Sequence, residues 1–151
     1  MGVGLRVEHT YAMPAATGVN NIERQNYFSF FPQADLILPL GDSHQLIFNY
    51  ARKIRRPSFW LLIPLRRPIS ETEVAVGNPK LKPSFSHEFS LNWVIRQKYT
   101  VTAGAYLMND VWVSTPRVDP DDPMSLIRTP ENQNSSSMWY VSAANSLHRL
   151  T

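Results

Sequence analysis

Six clustered cations hold the most obvious chemical capacity in this chain: Arg52, Lys53, Arg55, Arg56, Arg66 and Arg67, out of 15 basic residues in all. Guanidinium groups at this density suit phosphate or carboxylate partners, since their planar donor fork matches those oxyanions. One reading is a site for an anionic ligand, a lipopolysaccharide phosphate or a nucleic acid. Nucleic acid is not expected, because the net charge is only +3 and no RNP, KH or helix-turn-helix pattern accompanies the cations. The other reading is structural: Arg52 and the corner Arg55-Arg56-Pro57 anchor a loop onto carboxylates of the same chain. Between the two basic groups runs Phe59-Trp60-Leu61-Leu62-Ile63. It is either a stacking surface for a sugar or peptide, or the packed interior of a folded loop. If the segment binds a ligand, Phe59, Trp60, Arg66 and Arg67 are the residues to do it.

Other constellations carry less. Asp119, Asp121 and Asp122 put three carboxylates in one Asp/Pro-rich loop, but their spacing matches no EF-hand, so no metal is expected. His9, His44, His87 and His148 are scattered without metal-ligand spacing, and Ser135, Ser136 and Ser137 have no base within an arguable distance. GxSxG, Walker and GxGxxG motifs are absent. The absence of cysteine excludes thiol catalysis, disulfides and Cys-based metal sites. No enzyme activity and no cofactor are expected. Gly77-Asn78-Pro79 reads as turn chemistry, with glycine supplying φ > 0 and proline fixing φ.

The elements that must position these groups are strands. From Ser84 to Arg96 the odd positions Phe85, His87, Phe89, Leu91, Trp93 and Ile95 alternate with polar residues at all but one even position. That is one two-faced strand of about 13 residues, long for a soluble sheet. Five weaker segments follow the same rule: 3–13, 33–40, 44–52, 99–113 and 137–147. Their connections alternate in length: tight at Gly41-Asp42 and after Arg96, long near 14–25, 53–83 and 114–133. Short and long in turn is the habit of an outer-membrane barrel, with tight periplasmic turns and long external loops. Tyr11, Tyr50 and Phe85 fall at outer strand ends and Trp93 and Tyr99 at inner ones, as interfacial girdles require. His9 and His87 fall near the outer boundary of the nominal lipid face. The fold expected is all-β: an antiparallel up-and-down meander of about six long strands, part of a transmembrane barrel. Six strands are too few to close one, so residues 1–151 read as a single segment of an incomplete barrel, without signal peptide or plug domain. The competing architecture is a soluble β-sandwich that binds carbohydrate through Trp60 and its neighbours. A third possibility is a truncated fragment without independent activity.

Several motifs carry a resemblance. Asn26-Tyr27-Phe28-Ser29-Phe30-Phe31-Pro32, Asp42-Ser43-His44-Gln45-Leu46, Asn49 through Phe59 and Gly77-Asn78-Pro79-Lys80-Leu81-Lys82-Pro83 stand in an order and spacing similar to those of the TonB-dependent receptor-like outer-membrane β-barrel proteins of Bacteroidota. Ser84 departs from the glutamate usual there, and His87-Glu88-Phe89 sits at the family's strand start. The resemblance implies a late portion of a receptor barrel in the cell outer membrane, energised by TonB through a plug domain, for uptake of a substrate bound outside. It further implies that Arg52, Arg55, Arg56, Pro57, Gly77, Asn78, Pro79 and Pro83 are structural anchors of the long loop. Arg6, Glu8, Glu88, Asn92 and Arg96 would line the lumen, and the tips of loops 19–23, 59–76 and 117–128 would meet the substrate. Expected partners are outer-membrane lipid, the remaining strands and plug, TonB, and a surface lipoprotein over the loops.

Overall fold

Period-2 patterning turns almost the whole chain into strand. A computed structural model describes residues 1–12 and 25–145. In order along the chain come β1 (Gly2–Ala12), β2 (Gln25–Leu40), β3 (His44–Arg55), the one-turn helix α1 (Phe59–Leu62), β4 (Arg66–Ser70), β5 (Glu73–Val76), β6 (Ser84–Ile95), β7 (Tyr99–Val118) and β8 (Leu126–Asn145). All eight strands join one sheet in the order β1-β2-β3-β6-β7-β8-β5-β4. The six long strands form an antiparallel meander. The small β4–β5 hairpin, built inside the longest connection, attaches through β5, which runs parallel to β8. One continuous open sheet replaces the two packed layers that a sandwich requires.

Register makes the two faces visible. Val3, Ala34, Tyr50, Phe89, Ala105 and Trp139 align in one row across all six long strands. The rows Leu36–Phe48–Leu91–Ala103–Val141 and Leu38–Leu46–Trp93–Val101–Ala143 lie beside it. On the opposite face lie Asp35–Asn49–Ser90–Gly104–Tyr140 and Gln33–Ala51–Glu88–Tyr106–Met138. The apolar face is uncovered: Val3 is 79% exposed, Trp139 74% and Val141 78%. Water penalises an apolar surface of this extent, so the fold requires a non-aqueous neighbour.

Strand ends depart from the pattern-based expectation. β2 begins at Gln25, because residues 25–32 pair with β1 although aromatic rings occupy both faces there. β7 and β8 run 20 residues each, and β8 starts at Leu126 rather than near Ser137. Residues 126–136 carry no apolar alternation, yet the ladder from Val118↔Leu126 to Asn109↔Ser135 holds them. At roughly 3.3 Å per residue these strands span about 65 Å, far beyond the 9–11 residues needed to cross a bilayer. Their outer parts therefore stand clear of hydrocarbon. The loop tip 19–23, Met13, Leu147 and His148 lie outside the described residues.

The turns use local conformation. Gly41 adopts φ +69 in the β2–β3 connection. Arg96 and Gln97 also take left-handed φ values, 49 and 53, so Arg96 sits in the β6–β7 turn and not on the polar face of β6. That corrects its expected lumen-lining place.

A second small core belongs to the loop. Leu62, Ile63 and Leu81 are buried there, so the end of 59–63 is the interior of a folded cap while Phe59 and Trp60 stay exposed. Gly77 serves this cap for a reason other than turn chemistry. Its φ is not positive, but a Cβ would overlap the carbonyl of Ile63. Gly77→Ala should therefore destabilise the cap by about 1–3 kcal/mol, the usual cost of forcing extra atoms into a packed site. Limited proteolysis of the folded protein should show faster cleavage at the Lys and Arg residues of 53–83, with the strands unaffected.

Candidate functional site

Two regions gather polar groups: the polar face of the sheet and the cap over its outer end. On the polar face, Arg6 contacts Glu8 at 3.2 Å, and Arg56 donates to Glu8 Oε2 at 2.6 Å and to Thr10 Oγ1 at 3.2 Å. The Arg6 guanidinium also lies over Phe31, a buried ring. Lys53 bonds Glu88 at 2.6 Å, Thr102 donates to Asn92 Oδ1 at 2.7 Å, and Asn49 donates to Ser90 at 3.2 Å. Tyr106 and Tyr140 stack with centroids 5.7 Å apart, and the Tyr140 ring occupies the space over Gly104 where a Cβ would stand. A polar hollow of about 230 Å³ opens here, lined by Asp35, Asn49, Lys53, Glu88, Tyr106 and Tyr140 among others. Arg6, Glu8, Glu88 and Asn92 thus share one face, with Arg56 reaching it from the start of the cap.

Arg52 does not. Strand parity puts it beyond Leu46, Phe48 and Tyr50 on the apolar face, directly opposite His87. Its Nη1 donates to the carbonyl oxygen of Phe30 at 2.9 Å and its guanidinium lies over Phe85. The expected anchoring of Arg52 on lumen carboxylates is therefore incorrect: the carboxylates are on the other side of the sheet. Among the described residues Arg55 binds no carboxylate either but stacks on Trp112, whose Nε1 donates to the Lys82 carbonyl at 3.0 Å.

The cap is fastened by backbone and amides. Asn78 N–H donates to the Leu61 carbonyl at 2.7 Å, while Asn78 Nδ2 donates to the Pro130 carbonyl at 2.9 Å. Its Oδ1 accepts from Lys80 N–H at 3.0 Å, forming the turn that contains Pro79. Just before Pro83, Lys82 exchanges hydrogen bonds with Asn132, which also donates to the Asp110 carbonyl. Asn132 and Trp112 are fasteners that sequence reasoning passed over, since neither belongs to a recognisable motif.

The ligand candidates divide. Arg66 pairs with Asp119 and Asp121, so it ties the β4–β5 hairpin to the β7–β8 loop. The Asp119 side chain is fully buried, which leaves the guanidinium as its charge partner. Among the described residues no cluster suited to a metal occurs. Arg67, Phe59 and Trp60 remain grouped at the surface. The Arg67 guanidinium lies 5.3 Å from the Trp60 centroid, and Phe59 meets Trp60 edge-on at 5.9 Å. Beside them opens a hollow of about 130 Å³ whose lining includes Trp60, Arg67, Ile69, Val76 and Arg128. An exposed indole with an adjacent cation suits planar or anionic ligands.

The sequence matches the outer membrane protein beta-barrel family over residues 1–148. The chain belongs to that family. Its place is the cell outer membrane, which it crosses with strands; among the described residues no helix is long and apolar enough to do so. No curated protein sequence matches it. Among solved structures it is similar to the siderophore receptor PirA from Pseudomonas aeruginosa, with TM-score 0.66 and 16% identity, covering 77% of this chain and 24% of the receptor. A mutant ferric enterobactin receptor PfeA from the same organism, in complex with enterobactin, gives TM-score 0.60 and 16% identity over 80% of this chain and 20% of that one. The Serratia marcescens hemophore receptor HasR, a double mutant in complex with its hemophore HasA and heme, gives 0.62 and 11% over 94% and 26%. The chain thus spans about a fifth to a quarter of the length of these receptors and shares their barrel fold over that span.

Two outcomes test the cap. Arg66→Ala strands the buried Asp119 carboxylate. Its cost should be about 1–3 kcal/mol, discounted because Arg66 is itself half exposed, and faster hydrogen exchange in residues 66–76 and 119–126 should report it. In the 119–125 loop, the Ser125 hydroxyl and then the Met124 N–H hold the Asp122 carboxyl below its ordinary pKa. A depressed folded-state pKa stabilises the loop above the unfolded value of about 3.9. The contribution disappears as pH falls through the lower folded value. Amide protection at Met124 should follow that curve, and the pH dependence should be absent in Asp122→Asn, whose amide oxygen accepts the same N–H but does not titrate.

Proposed function

We propose that this chain forms wall and external cap of a TonB-dependent receptor that imports a substrate bound at the cell surface. The observation that carries the reading is the separation of faces: apolar rows on one side and hydrogen-bonded polar rows on the other, across five or six neighbouring strands of the sheet. The apolar rows face lipid and the polar rows face the lumen. Arg6, Glu8, Glu88 and Asn92 would then meet a plug domain, through which TonB draws on the inner-membrane proton gradient. The cap stands over the lumen mouth, with Phe59, Trp60 and Arg67 presented to an incoming ligand and Arg66 holding the cap in shape. A surface lipoprotein would close over the same loops. This role is transport, without bond-making chemistry. The likeness to siderophore and hemophore receptors supports the fold of such a receptor and suggests bulky iron-carrying ligands as the first class to try.

The test combines topology with uptake. In single-tryptophan variants of the intact protein in vesicles, brominated acyl chains should quench Trp93 and Trp139 strongly, and Trp60 and Trp112 little. Quenching of all four alike would sink the assignment of faces. In cells, uptake of a ferric siderophore or heme panel should contain at least one substrate whose import stops on deletion of the gene or collapse of the proton gradient. For that substrate, Trp60→Ala with Arg67→Ala should lower uptake severalfold at unchanged protein level. Import that continues without the gradient would refute the energised mechanism.

A further inference from the structure

On the apolar face, from the inner turns out to the level of His87, Arg52 is the one Asp, Glu, Lys or Arg among the described residues. Among the described residues no carboxylate pairs with it. Apart from Nη1 on the Phe30 carbonyl and the Phe85 ring, its Nε is buried without an acceptor. A guanidinium in that setting is costly unless an anion meets it. The chain's own nearby carboxylates, Glu8 and Glu88, are committed to Arg56 and Lys53 on the opposite face. Among the described residues no carboxylate is thus left to meet it, which points to an anion from outside the sheet.

Its height in the membrane says from where. Arg52 lies eight residues outward from His44 at the inner turn, about 27 Å along the strand and roughly 20 Å along the membrane normal at a barrel strand's tilt. The apolar band of an outer-membrane barrel is about 25 Å tall. A long side chain that snorkels outward from this position places its charge at the outer headgroup boundary. His87 stands opposite, with Nδ1 2.9 Å from the Tyr50 hydroxyl, so a second polar ring is fixed beside the cation. One row further inward, the apolar face is grooved. Ala103 and Ala105 of β7 make the floor, Phe89 and Leu91 one wall, Trp139 and Val141 the other, enclosing about 270 Å³.

We propose that Arg52 and His87 bind a phosphate of lipid A in the outer leaflet, and that the groove over β7 seats one of its acyl chains. The inference rests on the apolar face meeting lipid. It adds a defined anionic site to that face, where a bare barrel wall has none. The fork of Arg52 would take two phosphate oxygens, and the small residues of β7 leave the width for a chain between two aromatic walls.

The intact protein in detergent should hold one lipid A adduct in native mass spectrometry. Arg52→Gln should weaken that adduct tenfold or more while the protein keeps its boiling-dependent gel shift. Dephosphorylated lipid A should bind as weakly to the wild-type protein as lipid A does to the variant. Ala103→Leu, which fills the groove floor and leaves the cation in place, should also reduce binding. Equal binding by Arg52→Gln, or by dephosphorylated lipid A, would overturn the site. Equal competition by phosphatidylglycerol would overturn lipid A as its occupant. Quenching of Trp139 by brominated lipid separates the two levels. If it persists while lipid A binding ignores Arg52, the lipid-facing reading stands and the site does not; if it is missing, both fall.

Discussion

Hydrocarbon accepts no hydrogen bonds, and the rest of this structure follows from that constraint. A backbone that crosses it must satisfy its own N–H and C=O groups, so the strands pair along nearly their whole length. Side chains must then sort by face, because one surface meets acyl chains and the other meets water. The sheet has almost no core of its own. Phe31 and Ala105 are among its few buried apolar residues, and burial otherwise concentrates in the cap. Stability of the wall therefore comes from ladder hydrogen bonds and from solvent on either side that suits each face. The cap follows the rules of a soluble protein, with Leu62, Ile63 and Leu81 as core and Arg66–Asp119 as an ion-paired tie.

How far the sequence spoke depended on which rule governed each stretch. β6 was legible because one face meets lipid and the other water, so Phe85 to Ile95 alternate with Val94 as the one apolar residue on the even side. The tight turns were legible from Gly41 and from the abrupt end of apolar alternation at Arg96. Residues 25–32 were obscured because Tyr27 and Phe31 place aromatic rings on the polar face, where Phe31 receives the Arg6 cation. Residues 126–136 were obscured for the opposite reason. They rise above the hydrocarbon, both faces are wetted, and only pairing with β7 makes them strand. The β4–β5 hairpin is too short, and its Pro68 too disruptive, for a pattern to show. α1 is a single turn that tertiary packing holds.

The site residues divide along the same line. Glu8 and Arg56 are far apart in sequence, and no spacing rule links them; the register of three strands brings them together. Arg66 stood among the candidate ligand-binding cations until the fold supplied Asp119, more than fifty residues away. Arg52 is the instructive error. Counting by twos from Leu46 through Phe48 and Tyr50 arrives at Arg52, so its face was available from parity alone. Grouping it with its basic neighbours in sequence hid that, because in a strand the neighbours of a residue point the other way.

The parallel pairing of β5 with β8 bears on how a barrel wall grows. β5 occupies residues 126–128 on the side of β8 turned away from β7, and the Leu126 N–H donates to Thr72. Any further strand that joins β8 on that side finds this stretch already filled. It can zip up only from Thr129 toward Asn145. For such a strand the hairpin would be a stop at the top of the seam. It would fix how high a further strand could climb and, with that, which of its residues face which row. A loop that looks like decoration on the outer rim would then set the alignment of the wall beside it.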